Sequence, residues 1–205
     1  MTEKEKMLAG KLYDSNDPDL LALRDRAHRL SAEFAQIPEE DGKKRRSLLE
    51  GLLGALGEET EFLAPVFFDY GIFTSIGNRC FINTGTTILD CAPITIGDDV
   101  LFGPNCSLCA PVHPLVPSER KFHRAPDGSS HGYEYARPIA IEDGVWLAAN
   151  VTVCGGVAIG AGSVIGAGSV ITRDIPAGVL AAGNPCRIIR QITEADSVRH
   201  DPQLR

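Results

Sequence analysis

The sequence predicts a mainly β chain: a solenoid of short parallel strands wound in six-residue repeats, with a helical element at its N-terminus and a long loop excursion. Three observations predict it. Aliphatic residues recur every six positions through much of the chain, and apolar residues near the start alternate by three and four. Between two blocks of repeats lies a proline-bearing, charged stretch that keeps neither period.

The six-residue period is clearest at Ile141, Leu147, Val153, Ile159, Ile165 and Ile171. Four residues after the first five of these come Val145, Val151, Val157, Ser163 and Ser169, a second small or β-branched set. An earlier block has the same spacing at Ile76, Ile82 and Ile88, slips by two residues, and resumes at Ile96, Phe102 and Leu108. A helix would bring apolar residues back at three and four, so a strict six excludes it. Three hexads make one triangular coil of about 18 residues, and coils stack at the ~4.8 Å spacing of neighbouring strands. Ile141 should then lie over Ile159, and Ala149 over Ala167.

Leu20, Leu23, Ala27, Leu30 and Phe34 form the apolar stripe of an amphipathic helix, and Asp17-Pro18 supplies its N-cap and first position. Leu48, Leu49, Leu52, Leu53 and Leu56 suggest a second short helix, weakened by Gly51 and Gly54. Residues 114–138 leave the solenoid through prolines and the turn-like Pro126-Asp127-Gly128, and a loop this long in a compact domain is more often functional than idle. The chain thus divides into a helical element over 1–58, a β-solenoid over 59–190 that carries the loop, and a tail over 191–205 expected to fray.

A formal charge of −7 argues against broad nucleic-acid binding, which needs a basic face. No apolar run is long enough to span a bilayer, and the opening MTEKEKMLAG has no apolar core of the signal-peptide kind. The expected location is the cytoplasm, where the six cysteines read as small buried hydrophobes and not as disulfides. Cys106 and Cys109 make a lone CxxC whose first member falls on an inward repeat position. Among the histidines, His28 falls in a helix, His200 in the tail, and His123 and His131 in the loop with solvent-facing roles. Only His113 belongs to the solenoid, whereas a zinc site would need three converging imidazoles.

His113 stands at the end of a coil, where the long loop departs, so its imidazole can face a groove. With an ordinary pKa near ~6.5 it can take the proton of a hydroxyl that attacks a carbonyl.

Many residues also resemble, in order, the maltose/galactoside O-acetyltransferase branch of the hexapeptide-repeat acyltransferases over nearly the whole chain. They include Met7-Leu8-Ala9-Gly10, Leu12-Tyr13-Asp14, Phe81-Ile82-Asn83, Ile88-Leu89-Asp90, Gly103-Pro104-Asn105, His113-Pro114, Gly144-Val145-Trp146, Asp174-Ile175-Pro176 and Ala182-Gly183-Asn184-Pro185. The resemblance implies a left-handed β-helix, a homotrimer with active sites between adjacent subunits, acetyl-CoA as donor, a small sugar as acceptor, and no metal. It implies His113 as catalytic base in a direct transfer. Oriented reactants make a covalent acyl-enzyme unnecessary.

By the same resemblance the Ala149 N–H is the oxyanion donor, and Ala149 with Ala167 forms a small-residue track for the coenzyme arm. Thr172 and Arg173 match the coenzyme-contacting pair, and Arg187 with Arg190 the phosphate-end cations, a task suited to arginine's planar fork. Trp146 is expected beside His113 and the thioester arm, although a lone tryptophan is usually core. Asp14, Asn83, Asp90 and Glu134 correspond to positions around the sugar, and Asp90 reads equally as a turn residue. Ile72-Phe73, Cys91 and the longer loop depart from the family pattern on the acceptor side. The alternatives are therefore a non-sugar or oligosaccharide acceptor, or a non-catalytic solenoid.

Overall fold

A computed structural model describes residues 1–200 and Gln203. The repeats build a parallel β-helix with three faces. The first face stacks Ala55–Leu56, Thr74–Ile76, Ile94–Ile96, Ile139–Ile141 and Ala158–Ile159. The second runs from Glu61–Phe62 through Phe81–Ile82, Leu101–Phe102, Trp146–Leu147 and Val164–Ile165 to Val179–Ala182, closed by the antiparallel strand Arg187–Gln191. The third holds Val66–Phe68, Thr86–Leu89, Ser107–Cys109, Thr152–Cys154 and Val170–Ile171.

Every aliphatic repeat position points inward. Ile76, Ile96, Ile141 and Ile159 form one ladder, and Phe62, Ile82, Phe102, Leu147 and Ile165 another, all almost wholly buried. Each such side chain contributes about 1.5–3 kcal/mol on leaving water. The second repeat set is buried too. Ser163 and Ser169 replace valine where the last coil changes course, and their hydroxyls donate to Pro176 O and Gly166 O while accepting from Val179 and Gly183 N–H.

The predicted stacking of Ile141 on Ile159 is present, and Gly168 N donates to Ala149 O across the coils that carry Ala149 and Ala167. The uniform 18-residue coil holds only above the loop. Below it the partners Leu56, Ile76 and Ile96 advance by 20 residues. The extra two fall at the corner between the third and first faces, where Phe68 and Ile76 are eight apart, whereas Val153 and Ile159 above are six apart. Across the loop Ile96 pairs with Ile141, so the excursion leaves the stacking undisturbed.

The helical element has three helices: α1 (Glu3–Leu8), α2 (Pro18–Phe34) and α3 (Gly42–Leu52). Asp17 caps α2 as expected, and Leu20, Ala27, Ser31 and Phe34 pack toward the third-face strand Val66–Phe68. The second helix lies earlier than predicted, because Leu53 and Leu56 belong to the connection and the first strand. The solenoid therefore starts at Ala55 and not at 59. Arg45 of α3 is buried under the Phe34 ring and donates to Ile37 O and Phe62 O, which fixes the helices on the lowest coil. Helix α1, capped by Thr2 and Glu5, is a further helix beyond the two that the apolar periods predict.

The excursion is folded. It contains α4 (Pro117–Arg120), a hairpin of His123–Arg124 with Ser130–His131, and the strand Tyr133–Ala136. That last strand pairs antiparallel with Pro111–Val112 on one side and with Tyr13–Asp14 on the other, forming a small sheet outside the prism. In the tail, 3-10 turns at Glu194–Asp196 and Val198–His200 follow the closing strand, while Asp201, Pro202, Leu204, Arg205 and the His200 side chain lie outside the described residues.

Asp90 occupies the widened corner and corrects one expectation. Its wholly buried carboxylate accepts from the N–H groups of Tyr70, Gly71 and Phe73 and from the Thr74 hydroxyl, so it holds the turn of the coil below and offers nothing to an acceptor. Burial pushes its carboxyl upward, against the pull of these donors. Asp90→Ala, which strands the donors, is expected to lower stability by roughly 3 kcal/mol in urea unfolding. A loss below about 1 kcal/mol would mean that the corner holds itself.

Candidate active site

The third-face strand Ser107–Cys109 continues through Ala110 into Pro111–Val112, and His113 follows as the chain leaves the prism. The small outer sheet decides what meets it. Strand Tyr133–Ala136 carries Glu134, whose Oε2 lies 3.5 Å from His113 Nε2. Across the same sheet Tyr13 is the register partner of Glu134, and its hydroxyl donates to Glu134 Oε1 in a short hydrogen bond. Tyr13 is fully buried, and burial pushes its phenol far above the usual range, so it remains a neutral donor. The imidazole itself is 61% exposed while the Glu134 side chain is 11% exposed. An open imidazole thus rests on a covered, anchored carboxylate.

Asp14 and His131 tie the loop to the N-terminus. Asp14 Oδ2 is 2.5 Å from His131 Nδ1, and Asp14 Oδ1 accepts from the N–H of Gly132 and of Asn16. Burial works against ionisation of Asp14, but the His131 and backbone hydrogen bonds outweigh it and hold its carboxyl below the ordinary value. His131 is not a simple solvent-facing loop residue: its Nε2 lies 2.9 Å from Ser129 Oγ. The line Ser129–His131–Asp14 has the spacing of a nucleophile triad. Ser129, however, donates its proton to Asp127 Oδ1 at 2.6 Å, so the line fastens the hairpin.

Asn83 sits at the corner between the second and third faces. Its Oδ1 accepts from Thr84 N–H, and its amide nitrogen has no partner among the described residues. Cys91, at a departure position, is buried and donates to Asp69 Oδ2 at 3.3 Å.

The residues expected on the coenzyme side lie elsewhere on the prism. Trp146 is on the second face, 48% exposed between Leu101 and Val164, and is neither core nor on the edge that His113 leaves. Ala149 follows it in the corner. The N–H groups of Ala148 and Asn150 donate to Ile165 O and Pro104 O, whereas that of Ala149 has no acceptor among the described residues. Gly103 permits this close approach, since a Cβ there would stand 2.6 Å from Ala149 N. Ala167, Thr172 and Arg173 are exposed, and Arg173 has no ion pair among the described residues. Arg187 turns to Cys186 O. Arg190 makes a two-point ion pair with Asp196 at 2.6 and 2.8 Å, so it is not a free phosphate-end cation.

Comparison with known proteins identifies both the capping helices and the repeats. Residues 6–57 match the maltose acetyltransferase hexapeptide capping motif, residues 138–173 the bacterial transferase hexapeptide, and residues 93–113 the hexapeptide repeat of succinyl-transferase. The chain is 39% identical to the galactoside O-acetyltransferase of Escherichia coli, over 96% of this chain and 92% of that one. It belongs to the hexapeptide-repeat acetyltransferases of the galactoside/maltose type. A galactoside acetyltransferase solved in complex with coenzyme A superposes with a TM-score of 0.88 at 39% identity, covering 96% of this chain and 94% of that one. A hexapeptide-repeat acetyltransferase from Vibrio cholerae, solved with acetyl-CoA, gives 0.82 at 38%, covering 95% and 100%.

In this acetyltransferase, Tyr13 and His131 escaped the sequence reading as site residues. Tyr13 stood beside the noted Asp14, but nothing in the hexad period signals an antiparallel pairing between the N-terminus and the loop. The Asp14 carboxyl is depressed, so its contribution is present above its unfolded pKa and is lost as pH falls through the folded value. Amide exchange in the hairpin around Ser130 and His131, measured against the intrinsic rate at each pH, should therefore lose protection on acidification below about pH 4. Asp14→Asn should quicken it at neutral pH and abolish that acid dependence.

Proposed function

We infer that the chain transfers the acetyl group of acetyl-CoA to a hydroxyl of a small sugar, with His113 as general base, at a site shared between neighbouring copies of a cytoplasmic homotrimer. The observation that carries this reading is the line from Tyr13 through Glu134 to His113 at the corner where the loop departs.

The carboxylate beside Nε2 favours the tautomer protonated on that nitrogen, which leaves the Nδ1 lone pair to accept the acceptor hydroxyl's proton. It also stabilises the imidazolium that forms, as an opposite charge within a few ångströms does. Acetyl-CoA supplies the thioester carbonyl that the hydroxyl attacks. The unpartnered Ala149 N–H is a donor suited to the oxygen on which charge develops. Asn83, with its amide nitrogen available, is suited to hold a sugar hydroxyl. The Asp14 carboxylate already serves the loop, so its part is in shaping the acceptor side.

Within one chain His113 and the Trp146–Ala149 segment belong to different sides of the prism, which supports a site completed by a neighbour. The exposed Leu101 and Trp146, register partners on the second face, make an apolar surface that such a neighbour would cover. Arg173, free of ion pairs among the described residues, supports a coenzyme phosphate, with Arg187 second.

Thiol release from acetyl-CoA with a panel of glucosides, galactosides and maltose tests the assignment, and silence across the panel would refute the sugar acceptor. His113→Ala should lower kcat by about 10²–10⁴ with coenzyme binding intact by calorimetry. Glu134→Gln and Tyr13→Phe should lower kcat by roughly tenfold or more with little change in KM, since they act on the base and not on the acceptor. A change confined to KM would make Glu134 an acceptor ligand instead.

A further inference from the structure

Cys109 and Cys154 lie outside everything assigned above. They are register partners on the adjacent parallel strands Ser107–Cys109 and Thr152–Cys154 of the third face. Their neighbours Leu108 and Val153 point into the prism, so the alternation of a strand turns both thiols outward, where each is half-buried. Other thiols are engaged: Cys80 donates to Gly97 O, Cys106 to Gly103 O, and Cys91 to Asp69. Cys109 and Cys154 are free thiols without a hydrogen-bond partner among the described residues. Their closeness shows at Cys109, where Cys154 adds to the upward push that burial gives the thiol.

We propose that Cys109 and Cys154 form a two-thiolate binding site for a soft, low-coordinate cation of the Cu(I) class. Strand spacing selects the ligand. Register partners on neighbouring parallel strands are about 4.8 Å apart, and side chains that leave the sheet side by side keep their β-carbons at about that spacing, wider than the ~3.5–4.5 Å of an unstrained disulfide. Two metal–thiolate bonds, each near the ~2.3 Å length of a zinc–thiolate bond, laid end to end match that spacing. Thiolate donors select soft cations. Among the described residues no group of three or more His, Cys, Asp or Glu side chains converges, so a tetrahedral zinc site is not built here. Each thiol releases one proton as its bond to the cation forms, and no electron is transferred.

The test is an anaerobic titration of the full chain with Cu(I) held by bicinchoninate, read from the colour of the chelator complex. The wild-type protein should withdraw one Cu(I) per chain at this site, and Cys109→Ser or Cys154→Ser should each weaken that binding at least 100-fold, while Cys80→Ser leaves it intact. Equal withdrawal by the wild type and both single variants overturns the proposal. A second measurement needs no variant. With one equivalent of Cu(I) bound, peptide mapping after N-ethylmaleimide should find Cys109 and Cys154 protected together, and alkylation of either at its metal-free rate overturns the site.

Discussion

The structure depends on one repeated contact, the in-register stacking of an inward aliphatic side chain on its counterpart in the coil below. Ile76, Ile96, Ile141 and Ile159 make such a column, and each face of the prism has its own. Parallel strands two or three residues long have few hydrogen bonds apiece, so no single coil could stand alone. Continuity of the apolar columns makes them one body. It also explains why the chain tolerates a long excursion between Ile96 and Ile141: the loop leaves and returns at a corner, and the column closes behind it.

The corner is where regularity is given up for a site. Two added residues per lower coil widen the edge between the third and first faces, and the buried Asp90 holds the resulting turn. His113 leaves the prism from this same edge, one coil higher. A widened, tethered edge below and a folded loop above leave the imidazole open to solvent while its supporting carboxylate is covered. The N-terminal element, which would otherwise read as a plain cap on the lowest coil, reaches this edge through Tyr13 and Asp14.

Part of the candidate site is legible in the sequence. His113 was legible because it ends a coil, and Ala149 with Ala167 because a fixed period turns sequence distance into vertical neighbours. For Asp90 the sequence leaves the acceptor side and the turn equally open, since a carboxylate beside a turn looks alike in sequence whether it faces a ligand or a ring of backbone donors, and the structure supports the turn. Arg190 was noticed as a cation, but its partner Asp196 lies in a tail with no period to predict a contact. The sequence leaves Tyr13 without a role and reads His131 as solvent-facing, because their partners are more than a hundred residues away and are met through antiparallel pairing.

The sequence by itself determined the β-helix, its inward columns, the amphipathic helix and the place where the loop departs, because each is a local period whose burial requirement repeats from coil to coil. Only the tertiary structure decided that coils below the loop take 20 residues, that the loop folds into a sheet with the N-terminus, and that Glu134 stands behind His113. Those outcomes rest on single long-range pairings, and a pairing made once leaves no period to read.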